Sequence, residues 1–338
     1  MSDTPLIICL TPVKNEAWIL DRFLQCASLW ADLIILADQG STDGSREIAK
    51  KYSKVQLIEN PENKFQGTGM RRLLLHESRK MKGSKLLIAL DADEVLSADL
   101  FNSPGWNAAK SAAPGTRILM KIANLFPDVG HFYTDDAWYY LGFVDDGVSD
   151  IEGSALHEPR LPYLPQNPSV NIEHARFLHY NYLNKNRNAS KLRWYMCYER
   201  VNNKRTFLEI LKQYFAHHHP EYLGWKQKLY SLPPSFLSGY QQQGIDMETI
   251  QTQDHYWWDH EILNYIEDNG TAIFRGLDIW YVDWNKTATA LGVKLSKRIH
   301  NPQRFTDRMA LAIYKGINNH PRNYLLRAGM RGLQYLNY

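Results

Sequence analysis

Three acids fall within four positions at Asp91-Ala92-Asp93-Glu94, directly after the apolar run Leu86–Leu90. Residues two apart in extended chain point the same way, so Asp91 and Asp93 are expected to converge on one ion. Paired carboxylates suit Mg²⁺ or Mn²⁺, hard cations that can also hold a diphosphate. The same acids also make good turn residues after a buried strand, and the spacing alone recurs by chance. What precedes them favours the chemical reading.

Elements must position these acids. Leu86–Leu90 has no polar break, as expected of a strand covered on both faces. Leu6–Leu10, Leu33–Ala37 and Val55–Ile58 read as three earlier strands. Between them the spacing predicts helices over Ala17–Leu29, Ser45–Lys51 and Gly69–Met81. Strands alternating with helices predict an α/β domain with a mostly parallel, doubly wound sheet. Ligands bind such sheets outside the carboxyl ends of the strands. Three polar clusters sit at those ends: Thr11–Glu16, Asp38–Asp43 and Asp91–Glu94. Asp38 could accept from a base or a ribose hydroxyl, or serve as a cap or Asx-turn.

Pro12-Val13-Lys14-Asn15-Glu16, Asp38-Gln39-Gly40-Ser41-Thr42-Asp43-Gly44 and Asp91-Ala92-Asp93-Glu94 together resemble the three N-terminal motifs of family 2 glycosyltransferases of GT-A fold. The resemblance covers roughly residues 5–100. It implies a UDP-, GDP- or dTDP-linked sugar donor, a divalent cation (Mn²⁺ or Mg²⁺), and an inverting transfer to a hydroxyl of a glycan or glycolipid, such as a bacterial surface polysaccharide. It would give Pro12, Val13, Asn15, Glu16 and Asp38 to the nucleoside. Asp91, with neighbouring Ala92, would face the nucleotide sugar, and Asp91 and Asp93 would hold the metal. Gln39 departs from the Asp or Asn usual there. Arg71 or Arg72 fills the place of an early helical Arg that pairs with phosphate, Arg71 being the first choice; a solvated helix face is the alternative.

Leu156-His157-Glu158-Pro159-Arg160 is similar to a His-Glu segment of bacterial members. Deprotonating an acceptor hydroxyl needs a carboxylate within hydrogen-bond reach. Glu158 is the first candidate, then Asp146 and Asp145; a surface salt bridge is the alternative for Glu158. His179 follows an expected strand and matches a His that often completes the metal site in this fold. An imidazole ligand would favour Mn²⁺; a hydrogen-bonded structural histidine is the alternative.

Composition bounds the partners. The 338 residues are 44% hydrophobic and 22% charged, with a net charge of +3, too small to argue for nucleic acid. Cys9, Cys26 and Cys197 have no metal or disulfide spacing, which fits a reducing cytoplasm. No basic-then-apolar leader and no membrane-length apolar run is seen. A catalytic domain over 1–184 and a helical domain over 185–338 are expected, with Asn184–Asn188 as an exposed linker. Lys191–Asn202 and Thr206–His219 read as helices, and the aromatic clusters 256–261 and 278–284 as core. The tail from Arg304 suits either a helix lying on the inner face of an anionic membrane or a solvated basic face. Two other functions remain open. Gly67-Thr68-Gly69-Met70-Arg71 resembles a loop of sugar-nucleotide nucleotidyltransferases, although it precedes the third helix rather than following the first strand. A non-catalytic carbohydrate-binding protein on the same fold is the second.

Overall fold

The computed structural model describes residues 4–59, 67–152, 159–218, 228–320 and 323–335. It divides into two compact units, 1–183 with 229–251, and 184–228 with 252–338.

The first unit is built on a mixed sheet. Its parallel half comprises β1 (Leu6–Val13), β2 (Leu33–Asp38), β3 (Val55–Glu59) and β4 (Lys85–Ala89), in the order β3-β2-β1-β4. Alternation along these strands divides the apolar residues between two faces. Ile7, Cys9, Ile34, Leu36, Leu86 and Ile88 pack with Leu20, Phe23 and Leu24 of α1 (Ala17–Ser28). Ile8, Leu10, Ile35, Ala37, Leu87 and Ala89 pack with Met70, Leu74 and Leu75 of α3 (Gly67–Arg79). Helices therefore cover both faces, which is why Leu86–Leu90 lacks a polar break. Two short helices are α2 (Ser45–Ala49), between β2 and β3, and α4 (Pro104–Lys110), further along the chain. This is the α/β architecture that the GT-A resemblance implies.

Beyond β4 the direction changes. β8 (Trp138–Val144) pairs antiparallel with β4 and with β6 (Arg117–Leu125). Gly142 sits where three strands crowd: a Cβ there would lie 2.8 Å from Ile118 and from Ile88, so a side chain would force the strands apart. β7 (His131–Tyr133) pairs antiparallel with β6. β5 (Glu94–Leu96) pairs antiparallel with β9 (Ser169–His179), which runs parallel to β6.

Residues 229–251 lie in this unit, although the sequence reading assigned them to the helical extension. Their apolar side chains explain the return. Phe236, Leu237 and Tyr240 of α7 (Ser235–Gln241), with Ile245 and Met247, share a core with Trp18, Ile19, Val95 and Leu178. Tyr240 donates to the carbonyl of Leu96 at 2.7 Å. Arg22 donates to the carbonyls of Asp246 and Thr249, each at 2.5 Å. β10 (Tyr230–Ser231) adds to β7.

The second unit is helical where it is described. It contains α5 (Lys185–Asn202), α6 (Phe207–His218), α8 (Trp257–Asn269), α9 (Trp284–Ala290), α10 (Phe305–Asn319) and α11 (Tyr324–Tyr335). Its aromatics are mainly core: Trp258 and Trp284 are buried, and the Arg187 guanidinium lies 4.9 Å from the Trp258 ring centre. Tyr281 is the exception, exposed while its hydroxyl accepts from Arg193 at 2.9 Å. The expected linker is the cap and first turn of α5, with Lys185 and Asn186 its exposed residues. Asn184 caps α5 by accepting from the Arg187 amide at 3.1 Å, and Asn184, Arg187 and Asn188 are buried. Among the described residues no helix is long and apolar enough to cross a membrane.

Candidate active site

Two of the three polar clusters are laced into one loop pair at the carboxyl ends of β1 and β2. The Asn15 amide donates to Ser41 Oγ at 2.8 Å, and the Glu16 amide to Ser45 Oγ at 2.9 Å. The Thr42 amide donates to Asn15 Oδ1 at 2.7 Å, and the Ala17 amide to Asp43 at 2.9 Å. Asn15 adopts φ of 56°, a left-handed turn that Asn tolerates better than most residues.

Asp38 is fully buried, and its bonds are internal. It accepts from the Gly40 amide at 3.1 Å, the Ser41 amide at 3.1 Å and Arg46 Nε at 2.6 Å. A carboxylate so placed shapes the loop from below and presents no face at the crevice. β1 also continues further than the apolar run indicated, pairing Pro12 with Ala37 and Val13 with Asp38. The Val13 side chain is consequently in the core, and its carbonyl accepts from the Gln39 amide at 2.8 Å. Ala92 likewise points into the core. With both side chains buried, contact with a donor at Val13 and Ala92 would fall to their backbone groups. Asn15 and Glu16 remain partly exposed.

The acids after β4 are not in extended chain. The Glu94 amide donates to the Asp91 carbonyl at 3.0 Å, closing a tight turn into β5. The acids consequently acquire different partners. Asp91 accepts from Arg71 at 3.1 Å through one oxygen and from Arg160 at 3.1 Å through the other. Arg160 also forks onto both oxygens of buried Glu94, which in turn accepts from the Asp91 amide at 2.9 Å. Burial works against the charge of Arg160, but Asp91, Glu94 and Asp93 outweigh it and raise its pKa above the usual arginine range.

Asp93, only 5% exposed, faces His179 instead. Strand pairing creates this contact. β5 and β9 set Glu94 opposite His179, and the Tyr180 amide donates to the Asp93 carbonyl at 2.9 Å. His179 Nδ1 donates to Asn124 Oδ1 at 2.9 Å, with Asn124 in register on β6. That bond leaves Nε2 directed toward Asp93, 3.9 Å from Oδ1. A hydrogen-bond partner on one ring nitrogen is the usual way to aim the other at a metal. Among the described residues no three His, Cys, Asp or Glu side chains converge as a ligand set. Asp93 and His179 would supply two ligands, which suits a cation completed by phosphate and water.

Asp145 and Asp146 are at the wrong end of the sheet for an acceptor base. β8 runs antiparallel to β4, and the Asp145 amide donates to the Lys85 carbonyl at 3.0 Å, where β4 begins. Asp91 lies a strand length away, roughly 20 Å at about 3.3 Å per residue. α3 follows the same geometry: Arg71 near its start reaches Asp91, and Arg79 at its end reaches Asp145 at 2.9 Å. Burial pushes Asp146 up, but bonds from Ser149 and Val148 and the charge of Arg79 prevail and hold it below the usual carboxylate range. Glu158 lies outside the described residues. Sequence reasoning missed Arg160 and Asn124; the only signal for Arg160 was its place in the segment 156–160.

Residues 9–103 match the family described as Glycosyl transferase family 2. The match spans less than a third of the chain. It contains all three loops, Arg71, Asp91 and Asp93, while Arg160 and His179 lie beyond it. Among solved structures the chain is similar to S. aureus TarS, at 11% identity and TM-score 0.39, covering 78% of this chain and 48% of that one. It thus spans about half the length of that protein. A TarS fragment, 1–349, is similar at 12% identity and TM-score 0.37, with 82% of each chain covered. A 4-diphosphocytidyl-2C-methyl-D-erythritol synthase is similar at 13% identity and TM-score 0.30, covering 41% of this chain and 74% of that one.

Proposed function

We propose that the first unit transfers a sugar from a nucleoside diphosphate donor to an acceptor hydroxyl, with inversion. The reading is carried by one observation: two guanidinium groups meet at Asp91, while two residues on Asp93 faces an imidazole. That juxtaposition offers a diphosphate both fixed positive charge and a seat for a divalent cation. Arg71 and Arg160 would offset charge on the departing diphosphate through their remaining N–H donors. Asp93 and His179 would hold Mn²⁺ or Mg²⁺, which when bound acts as a Lewis acid toward the diphosphate. The loops 14–16 and 39–45, held from below by Asp38, would frame the nucleoside.

In the transfer, the acceptor oxygen bonds to the anomeric carbon as the bond from that carbon to the diphosphate oxygen breaks. The leaving diphosphate takes the electron pair and a carboxylate takes the acceptor proton. Glu158 is the proposed base, supported by lying two residues from Arg160, whose guanidinium sits on Asp91. A glycan or glycolipid acceptor accords with the family.

Calorimetry of UDP, GDP and dTDP with Mn²⁺ and with EDTA tests the reading, beside hydrolysis of the matching nucleotide sugars. Binding of at least one diphosphate, weakened by EDTA, is expected. Failure of all three to bind would overturn the function, and equal affinity in both buffers would overturn the metal. Release of pyrophosphate from a nucleoside triphosphate and a sugar phosphate would favour nucleotidyl transfer instead.

A further inference from the structure

Charge is unevenly distributed along the chain. Residues 291–338 hold nine Lys or Arg against a single acid, in a chain whose whole net charge is +3. That acid, Asp307, is buried and paired with Arg275 at 2.8 Å, so it does little to offset the basic surface.

The helix α10 brings apolar surface to the same place. Phe305 is 76% exposed and Met309 46% exposed, and Ala312 is exposed with them. Their spacing of i, i+4 and i+7 places all three within an arc of about 60° on the helix. Arg308 and Lys315, both exposed, run along one flank of that arc. The opposite side anchors the helix: Leu311 and Tyr314 pack on Leu211 and Phe215, and Ala310 is buried. α11 repeats the combination, with Tyr324, Leu325, Arg327 and Arg331 exposed.

Scattered exposed apolar residues are ordinary. A stripe at helical period, lined by basic residues and devoid of exposed acids, is the pattern of a helix lying in a bilayer interface. We propose that the exposed face of α10, extended by α11, docks this protein on an anionic phospholipid bilayer, with Phe305 and Met309 entering the acyl boundary and Arg308 and Lys315 meeting the headgroups. Nucleic acid would reward the positive charge but not the apolar stripe. A second copy of the same face would bring like charges together. An anionic bilayer satisfies both features.

The test is flotation of the full chain with vesicles of phosphatidylcholine alone and of phosphatidylcholine with phosphatidylglycerol, in low and high salt. Binding to the anionic vesicles only, weakened by salt, is expected. Each basic charge near the surface is worth about fivefold in affinity, so Arg308→Ala with Lys315→Ala should lose on the order of 25-fold. Phe305→Ser with Met309→Ser should abolish flotation. All four side chains are exposed, so neither pair of substitutions should lower the melting temperature. Absence of binding to anionic vesicles, equal binding to neutral ones, or wild-type flotation of both variants would overturn the proposal. Self-association that disappears with Phe305→Ser and Met309→Ser, without flotation, would assign the face to a second copy instead.

Discussion

The guanidinium of Arg160 meets the carboxylate of Asp91 at 3.1 Å, joining residues 69 apart in sequence. The same group forks onto Glu94, whose side chain is almost wholly buried. Arg160 therefore ties the turn after β4 to the segment carrying Glu158. Arg160→Ala leaves Glu94 buried without its cation and should destabilise by about 3–5 kcal/mol. Arg160→Lys keeps the charge but loses the fork, so it should recover only part of the stability. Thermal melts of both variants check this; an unchanged melt for Arg160→Ala would contradict it.

Asp93→Asn should lower donor turnover about 10²–10³-fold, the scale of losing one preorganised electrostatic group. Its melting temperature without metal should hold, and the rise on adding Mn²⁺ should shrink. Asn124→Ala tests the aim of His179 and should weaken metal affinity about 10–100-fold. Titration of Mn²⁺ into each variant is the measurement. Wild-type affinity in both would remove Asp93 and His179 from the metal.

Asp38→Ala should lower stability first and nucleotide affinity only in consequence. The buried Ser41 amide loses its acceptor, a loss of about 1–3 kcal/mol, and the Arg46 contact goes with it. A variant that melts like the wild type yet fails to bind nucleotide would show Asp38 touching the donor directly.

Limited proteolysis should spare Asn184–Asn188. The segment enters α5, Asn184 accepts from Tyr256 at 2.9 Å, and Asn184, Arg187 and Asn188 are buried. Early cleavage there, read by mass spectrometry, would contradict the buried cap.

Asp246 sets an acid limit. Hydrogen bonds from Thr249, then from the Glu248 amide, with the charge of Arg22 behind them, hold its pKa at about 2. The unfolded value lies near 3.9, about the usual Asp value. The carboxylate thus contributes stability above about pH 4, lost as pH falls toward 2. Asp246→Asn should flatten the fall in melting temperature across that window. An equal slope in wild type and variant would exclude the residue.

The sequence by itself determined the strands β1 to β4, the helices that alternate with them, and the three polar loops at their carboxyl ends. Those features are local: a run such as Leu86–Leu90 reports burial on both faces, and βα alternation forces a parallel crossover. Tertiary structure alone decided what the loops contain. Antiparallel pairing of β8 with β4 sends Asp145 and Asp146 to the far end, and no local pattern encodes strand direction. Pairing of β5 with β9 brings His179 to Asp93, and the tight turn at 91–94 separates two acids that extended chain would have aligned. Residues 229–251 rejoin the first unit because Phe236, Leu237 and Tyr240 are buried against α1 and β9. Such pairings follow from which distant apolar faces bury one another, a property of the whole chain that no window of residues contains.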